Sequence, residues 1–337
     1  MIPQEKLAPV NRALREAFGA TEIEDVREMT KGHGFALVLR IVVQGRPYLL
    51  RIIMRGSAML GPERQFTCMK AAVDAGLAPP LWYANTDDQV SLMDYVEEAP
   101  FPATEALVRI PALLRDLHAL PPFPAGVPHL DTTCMFLMHK GPAVDGFLSK
   151  LQEANIFSAA DAEQFSTWHA QLSEIYARLG PDLVSSHNDL FKPDNILFDG
   201  NRVWLVDWEA AFLNDRYADL AVAANLIVTN DAEERLFLQH YFGQPPDPYQ
   251  LARFFFTQQI AHLFYAAVFL WQGSSHEPRD QPPAFTDFYQ RLWSGEINLS
   301  DKSTKRVFGQ IHWERLQHNM RQPRWNQAVK ILSERHA

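Results

Sequence analysis

Between Ser185 and Ala221 the chain reads SSHNDLFKPDNILFDGNRVWLVDWEAAFLNDRYADLA, and it is here that residue types and spacing could do chemistry. From Asp182 to Asp219 there are 8 carboxylates against Lys192, Arg202 and Arg216, although much of the stretch is strand-forming and expected to be buried. A buried acid needs a cation, hydrogen-bond donors or a metal ion beside it. Asn195-Ile-Leu-Phe and Val203-Trp-Leu-Val flank Asp199-Gly200-Asn201-Arg202, a hairpin signal. A turn centred on Asn201 makes residue 197 face 205 and Asn195 face Asp207, a few residues from Asp189. Two oxygen-bearing side chains at the open end of a hairpin suit a hard divalent cation such as Mg²⁺, which takes few carboxylates and completes its shell with water and phosphate oxygens.

The elements that must position this segment follow from periodicity. An amphipathic helix opens the chain, and strand-like composition runs from about Val26 to Met54, with ALVLRIVV and PYLLRIIM joined by the turn signal Gln44-Gly45. Phe66, Met69 and Val73 mark a helix from Pro62 to Ala75, ended by Gly76 and Pro79-Pro80, and QVSLMDYVE reads as a further strand. Beyond the Pro-rich Ala99–Pro102, helices dominate, at Thr104–Leu120 (with Pro111 as a kink or start) and Ala159–Leu179, with PPFPAGVP (121–128) as a loop. The expected organisation is α+β in two lobes: a small antiparallel sheet with a helix over 1–99, a larger mainly helical lobe over 100–300, and a helical extension over 301–337. No repeat interrupts it.

Composition bounds the possibilities. With 337 residues, 47% apolar and 12% aromatic, the chain can bury a large core. Its net charge of −9 gives no basic footprint for nucleic acid. Residues 1–100 carry −2, residues 101–300 carry −12 and the last 37 carry +5, so the basic tail is expected to dock on the acidic lobe. Cys68 and Cys134 have no CxxC spacing, and the N-terminus has no signal-peptide core, which points to the cytoplasm. The longest apolar run, Ile260 to Trp271, falls short of the ~20 residues of a membrane span and reads as a buried helix.

HNDLFKPDN followed by VDWE resembles the catalytic loop and metal-binding motif of the protein-kinase-like small-molecule kinases, the choline/ethanolamine kinase and aminoglycoside phosphotransferase family. The resemblance implies a protein-kinase-like two-lobe fold and an ATP-dependent phosphotransferase with Mg²⁺ as its metal. Asp189 then resembles the residue that accepts or orients the acceptor's hydroxyl proton, and Asn195 and Asp207 resemble the metal ligands. His187 resembles the histidine that holds the loop. Lys192 is either a neutraliser of the γ-phosphate or a solvent-exposed loop lysine. In the kinase template Asn follows Asp by five positions, whereas here the spacing is six. Either Phe191 is the extra residue, or Asp194 is the ligand; Asn195 is favoured because it directly precedes Ile-Leu-Phe. Glu209 either touches the acceptor or a metal-bound water, or forms an ion pair near the loop. Asp219, in NDRYADLA, reads as a helix-start acceptor of backbone donors.

For the nucleotide, Arg51 is a lone charge among apolar neighbours in YLLRIIM and resembles the strand residue that meets the α- and β-phosphates. Glu63 is its expected partner, as the acid available between Met54 and Val73. Gly32 and Gly34 could let a loop approach phosphates, but Leu37 stands where the third glycine of GxGxxG would be, and no GxxxxGK[ST] occurs. The backbone of Asp94, Tyr95 and Val96 would be the hinge that meets adenine. For the acceptor, a cationic alcohol of the choline or ethanolamine kind is expected, with Tyr265, Trp271 and Trp208 as candidates for the aromatic faces that hold it. An aminoglycoside, or a catalytically silent nucleotide-binding module, is the alternative; a protein kinase is disfavoured, since no A-P-E follows VDWE.

Overall fold

The structure, a computed structural model, describes residues 2–29, 36–54, 61–123, 142–154, 156–274 and 281–334. Gly32, Gly34, Cys134 and most of the 121–128 loop lie outside the described residues. In chain order the elements are α1 (Leu7–Phe18), β1 (Asp25–Glu28), β2 (Ala36–Val43), β3 (Arg46–Ile53), α2 (Pro62–Asp74), β4 (Leu81–Asn85), β5 (Val90–Asp94), α3 (Ala103–His118), α4 (Pro142–Glu153) and α5 (Ala159–Leu179). There follow β6 (Leu183–Ser186), β7 (Ile196–Phe198), β8 (Val203–Leu205), β9 (Phe212–Asp215), α6 (Arg216–Ile227), α7 (Asp231–Phe242), α8 (Pro248–Gln272), α9 (Phe285–Trp293), α10 (Lys302–Met320) and α11 (Pro323–Glu334).

The first five strands form an antiparallel sheet in the order β1-β2-β3-β5-β4. Gln44 and Gly45 both take positive φ, the geometry whose twist matches a two-residue hairpin, and so set the β2–β3 register in which Val38 faces Arg51. On one face of the sheet Leu39, Ile41, Leu50 and Ile52 pack with Val10 and Leu14 of α1 as a separate small core. The other face carries Arg51, opposite Ser91 of β5. Phe66, Cys68 and Met69 of α2 join the main core of the helical lobe, so α2 is packed as part of the larger body. β1 and β4, which the sequence reading did not separate, are short edge strands with little burial alternation.

The helical lobe is organised around α8, which is buried on nearly every side and crossed by α10. Gly309 of α10 lies so close that a Cβ there would meet the backbone of Leu270 at 2.5 Å; only glycine allows this approach. Among the described residues α8 alone is long and apolar enough to cross a bilayer, and here it is the core helix. Phe308, Ile311, Leu316 and Trp325 are buried in the main core. Arg324 adds ion pairs to Asp231 and Glu234. The +5 segment is thus held mainly by apolar packing, not by the charge attraction expected for it, because its aromatic side chains complete the core around α8. α4, α7 and α9 went unread in the sequence.

Candidate active site

The segment between β6 and β9 is fastened from below. Asp219 sits inside α6, fully buried, and its carboxylate accepts the backbone N–H groups of His187 at 2.8 Å and Asn188 at 2.7 Å, with His118 Nε2 at 3.2 Å. It therefore does receive backbone donors, but those of the loop; the start of α6 is capped instead by Asp215, which accepts from Tyr217 N. These donors hold Asp219 below its usual range, despite burial that acts the other way. His187 Nε2 donates to Val206 O at 2.9 Å and the ring packs on Trp208 at 4.8 Å, as a loop-holding histidine should. Asn188 takes a positive φ of 67°, and its amide bridges Ala210 O and Asn214.

So anchored, Asp189 is buried, with Lys192 Nζ at 3.4 Å and Asn195 Nδ2 donating to Oδ2 at 2.8 Å. The same Asn195 nitrogen donates to the Asp189 carbonyl at 2.7 Å, which leaves the amide oxygen unspent by protein donors. Burial raises the Asp189 pKa and the charge of Asp207 adds to the effect, with Lys192 opposing. Lys192 is not the exposed loop lysine of one reading: it is four-fifths buried and lies 3.8 Å from Asp207 as well. Burial works against its charge, but Asp189 and Asp207 hold its proton more strongly, and its pKa rises. Phe191 turns into the helical lobe, against Tyr265 at 5.3 Å and Phe269 at 5.4 Å; this is a physical reason for the extra residue between Asp189 and Asn195.

The hairpin register differs from the expected one by a single residue. Ile196 faces Leu205 and Leu197 faces Trp204, so Val206, not Asp207, stands opposite Asn195, with Val206 N donating to Asn195 O at 3.1 Å. The cause is Asp199, whose carboxylate accepts the N–H groups of both Asn201 and Arg202 and centres the turn between Gly200 and Asn201. Asp207 still reaches the cleft because it leaves the strand at φ 66°, ψ 69°, a left-handed conformation that turns the chain into Trp208–Ala210.

Arg51 crosses from the sheet to meet this corner. Its Nη1 lies 2.5 Å from Asp207 Oδ1 and its Nη2 3.0 Å from Glu209 Oε2. Glu63, the expected partner, is exposed in the first turn of α2, which leaves that role to Glu209. The next residue, Arg64, donates to Glu209 O at 2.8 Å and ties α2 to the VDWE corner, a function that no sequence signal marked. Burial works against the Asp207 charge, yet Arg51 and Lys192 together hold its carboxyl well below the ordinary range. Glu209 has the opposite fate: burial and the neighbouring Asp207 push it up to about 7, past the pull of Arg51.

Arg51, Asp94, Tyr95, Val96, Asp194, Asn195 and Asp207 line one cleft between the sheet and the helical lobe. Two buried polar atoms of its lining residues, Arg51 Nε and Ser91 Oγ, have no hydrogen-bond partner among the described residues. Such groups cost ~1–3 kcal/mol each unless a ligand meets them. Ser91 is a site residue the sequence reading missed; a serine within an apolar strand was its available signal. Among the described residues no group of three or more His, Cys, Asp or Glu side chains converges as a metal cage, so a cation here needs oxygens from elsewhere. The expected aromatic cage is not assembled. Trp208 and Tyr265 are each 1% exposed, the first donating to Leu205 O and the second packed among Phe191, Phe269, Phe308 and His312. Trp271 is 40% exposed in the last turn of α8. Aromatics at helical spacing serve the core first.

The sequence profile of the phosphotransferase enzyme family matches residues 25–254. Among curated proteins, none matches. Similar solved structures include a choline/ethanolamine kinase family protein from Mesorhizobium loti, 17% identical with a TM-score of 0.63, covering 97% of this chain and 99% of that one. The choline kinase LicA from Streptococcus pneumoniae, in a complex with AMP, is 16% identical at a TM-score of 0.53, covering 86% and 96%. The gentamicin complex of APH(2″)-IIa is 13% identical at 0.59, covering 94% and 97%. At these identities the structures share the protein-kinase-like fold; with the profile match over most of the two lobes, the chain belongs to the phosphotransferase enzyme family and is a small-molecule phosphotransferase.

Proposed function

We propose that the enzyme moves the γ-phosphate of ATP to a hydroxyl of a small molecule, with amino-alcohols of the choline and ethanolamine kind the first acceptors to test. The observation that carries this reading is the double bridge from Arg51 to Asp207 and from Lys192 to both Asp207 and Asp189, beside a cleft with unpartnered Arg51 Nε and Ser91 Oγ. Asp94 to Val96 would border the adenine, and Arg51 would grip phosphate oxygens in exchange for its present carboxylate partners. The donor set fits Mg²⁺, with the Asp207 carboxylate and the free Asn195 amide oxygen as its protein ligands, completed by phosphate oxygens. Bound there, Mg²⁺ supplies charge neutralisation of the phosphates.

The chain's own contribution is positioning and proton handling. Asp189, kept in one orientation by Asn195 and Lys192, takes the hydroxyl proton; its raised pKa suits a base that must also release that proton. Lys192 offsets negative charge on the transferred group. Trp208, at the edge of the cleft, and Tyr265 are each 1% exposed and offer no open ring face, so the acid side chains Glu209 and Asp194 would be what a cationic acceptor meets. The test is ATP consumption with Mg²⁺ across choline, ethanolamine, aminoglycosides, thiamine and simple sugars. Turnover with at least one alcohol is expected, and none with any of them would favour the catalytically silent module.

A further inference from the structure

A second cavity, of about 410 Å³, lies in the helical lobe where the ends of α6 and α10, the starts of α7, α9 and α11, and the middle of α8 meet. A layer of rings separates it from the catalytic loop: Phe191 touches Tyr265, Tyr265 lies 5.2 Å from His312, and His312 meets His262 on the cavity wall. Its volume is that of a metabolite site. We infer that this cavity binds a small molecule carrying an acid group, a carboxylate or a phosphate.

Three side chains of the lining argue for an acid. Asn225, 6% exposed, has an amide nitrogen with no hydrogen-bond partner. His262, 2% exposed, is given a fixed tautomer by its neighbours. Tyr289 OH lies 2.8 Å from His312 Nε2, and His312 Nδ1 lies 2.8 Å from His262 Nδ1. Among the described residues the buried Tyr289 hydroxyl meets His312 alone, and we assign it the donor's role because its proton has no other acceptor there. The His312 proton then sits on Nδ1 and is donated to His262, whose own proton is left on Nε2. Burial keeps both rings neutral, driving His312 down to about 3 and His262 well below its ordinary value. The third is Arg315, exposed at the mouth, over the Phe285 ring at 5.4 Å and without an ion pair among the described residues. The two acids of the lining, Asp231 and Glu234, both pair with Arg324, and Arg315 stands within reach of their charge, so acids and arginines balance in the lining. A cationic ligand would meet Arg315 and find both carboxylates paired with Arg324, whereas an acid would be received by the Asn225 and His262 N–H groups, with the Arg315 guanidinium at the mouth.

The site stands apart from the phosphate donor's identity and is tested on the full chain by calorimetric titration with malonate and with inorganic phosphate. Saturable binding is expected, weakened about tenfold or more by Arg315→Ala, an exposed position that leaves the fold intact, and likewise by Asn225→Leu. Arg51→Ala, which removes the other candidate for an anion, should leave the affinity unchanged. Absence of saturable binding, or binding lost in Arg51→Ala and kept in Arg315→Ala, would overturn the site. Malonate binding that persists unchanged with ATP and Mg²⁺ present supports the cavity as a site apart from the cleft, from which the ring layer divides it; binding displaced by ATP would place the anion in the cleft and overturn the site.

Discussion

Arg51 and Asp207 meet across the cleft at 2.5 Å, and Arg253 and Asp215 meet at the same distance inside the helical lobe. In the core pair the side chains are 2% and 0% exposed, Arg253 also donates to Gly180 O at 2.6 Å, and Asp215 caps α6. Each charge there has one opposite partner, and burial outweighs what Arg253 returns to Asp215, whose pKa rises. The cleft pair belongs to a larger group: Arg51 and Lys192 share Asp189, Asp207 and Glu209, so two cations serve three carboxylates. Asp207 takes the larger share of both cations and its pKa falls, while Glu209 is left to rise. Identical chemistry is structural where the partners are matched and sealed, and available for exchange where they are mismatched and open.

This contrast can be broken in three ways. The largest effect belongs to Asp189→Asn, which should lower kcat by about 10²–10⁴ with little change in Tm. A loss of under tenfold would remove Asp189 from the proton-transfer role. Next, Arg253→Met leaves Asp215 buried and unpaired and should cost about 3–5 kcal/mol of stability, read by denaturant unfolding, while nucleotide affinity holds. Equal damage to ATP binding would mean that the core pair is part of the site. The smallest effect sharpens the mismatch. A carboxyl raised to about 7 in the folded protein contributes stability that is complete below its ordinary value of 4.5 and is lost as pH rises through 7. Glu209→Gln should therefore gain about 1–3 kcal/mol on the nucleotide-free wild type between pH 5 and pH 8, measured by thermal melts across that range. A constant difference across pH would show that Glu209 is already fully ionised beside Arg51.

Much of the site was legible because its chemistry is local in the chain. Asp189, Lys192 and Asn195 lie within seven residues of one another, and Asp207 follows after a hairpin whose turn signal is explicit. The hairpin's register was not legible: one Asx turn at Asp199 shifts it by a residue, and the effect on Asp207 is undone by a left-handed φ that no spacing rule announces. The partner of Arg51 was missed for a different reason. Counting acids along the chain pointed to Glu63, 12 positions away, whereas the acids that meet it are 156 and 158 positions away. Tyr265 and Trp208 were misjudged because an aromatic's sequence neighbours do not reveal whether its face is covered.

By itself the sequence determined the kind of chemistry and the two-lobe α+β plan, since hydrophobic period, turn residues and the HND…N…D spacing are properties of short segments. Only the tertiary structure decided which charges are shared, which are sealed and which are left without partners. It brings β3 onto the VDWE corner, threads Phe191 into the helical core, and closes α6, α8 and α10 around a cavity with donors to spare. Those outcomes depend on distances between residues far apart in the chain, and on burial that strengthens or starves each charge according to what stands opposite it.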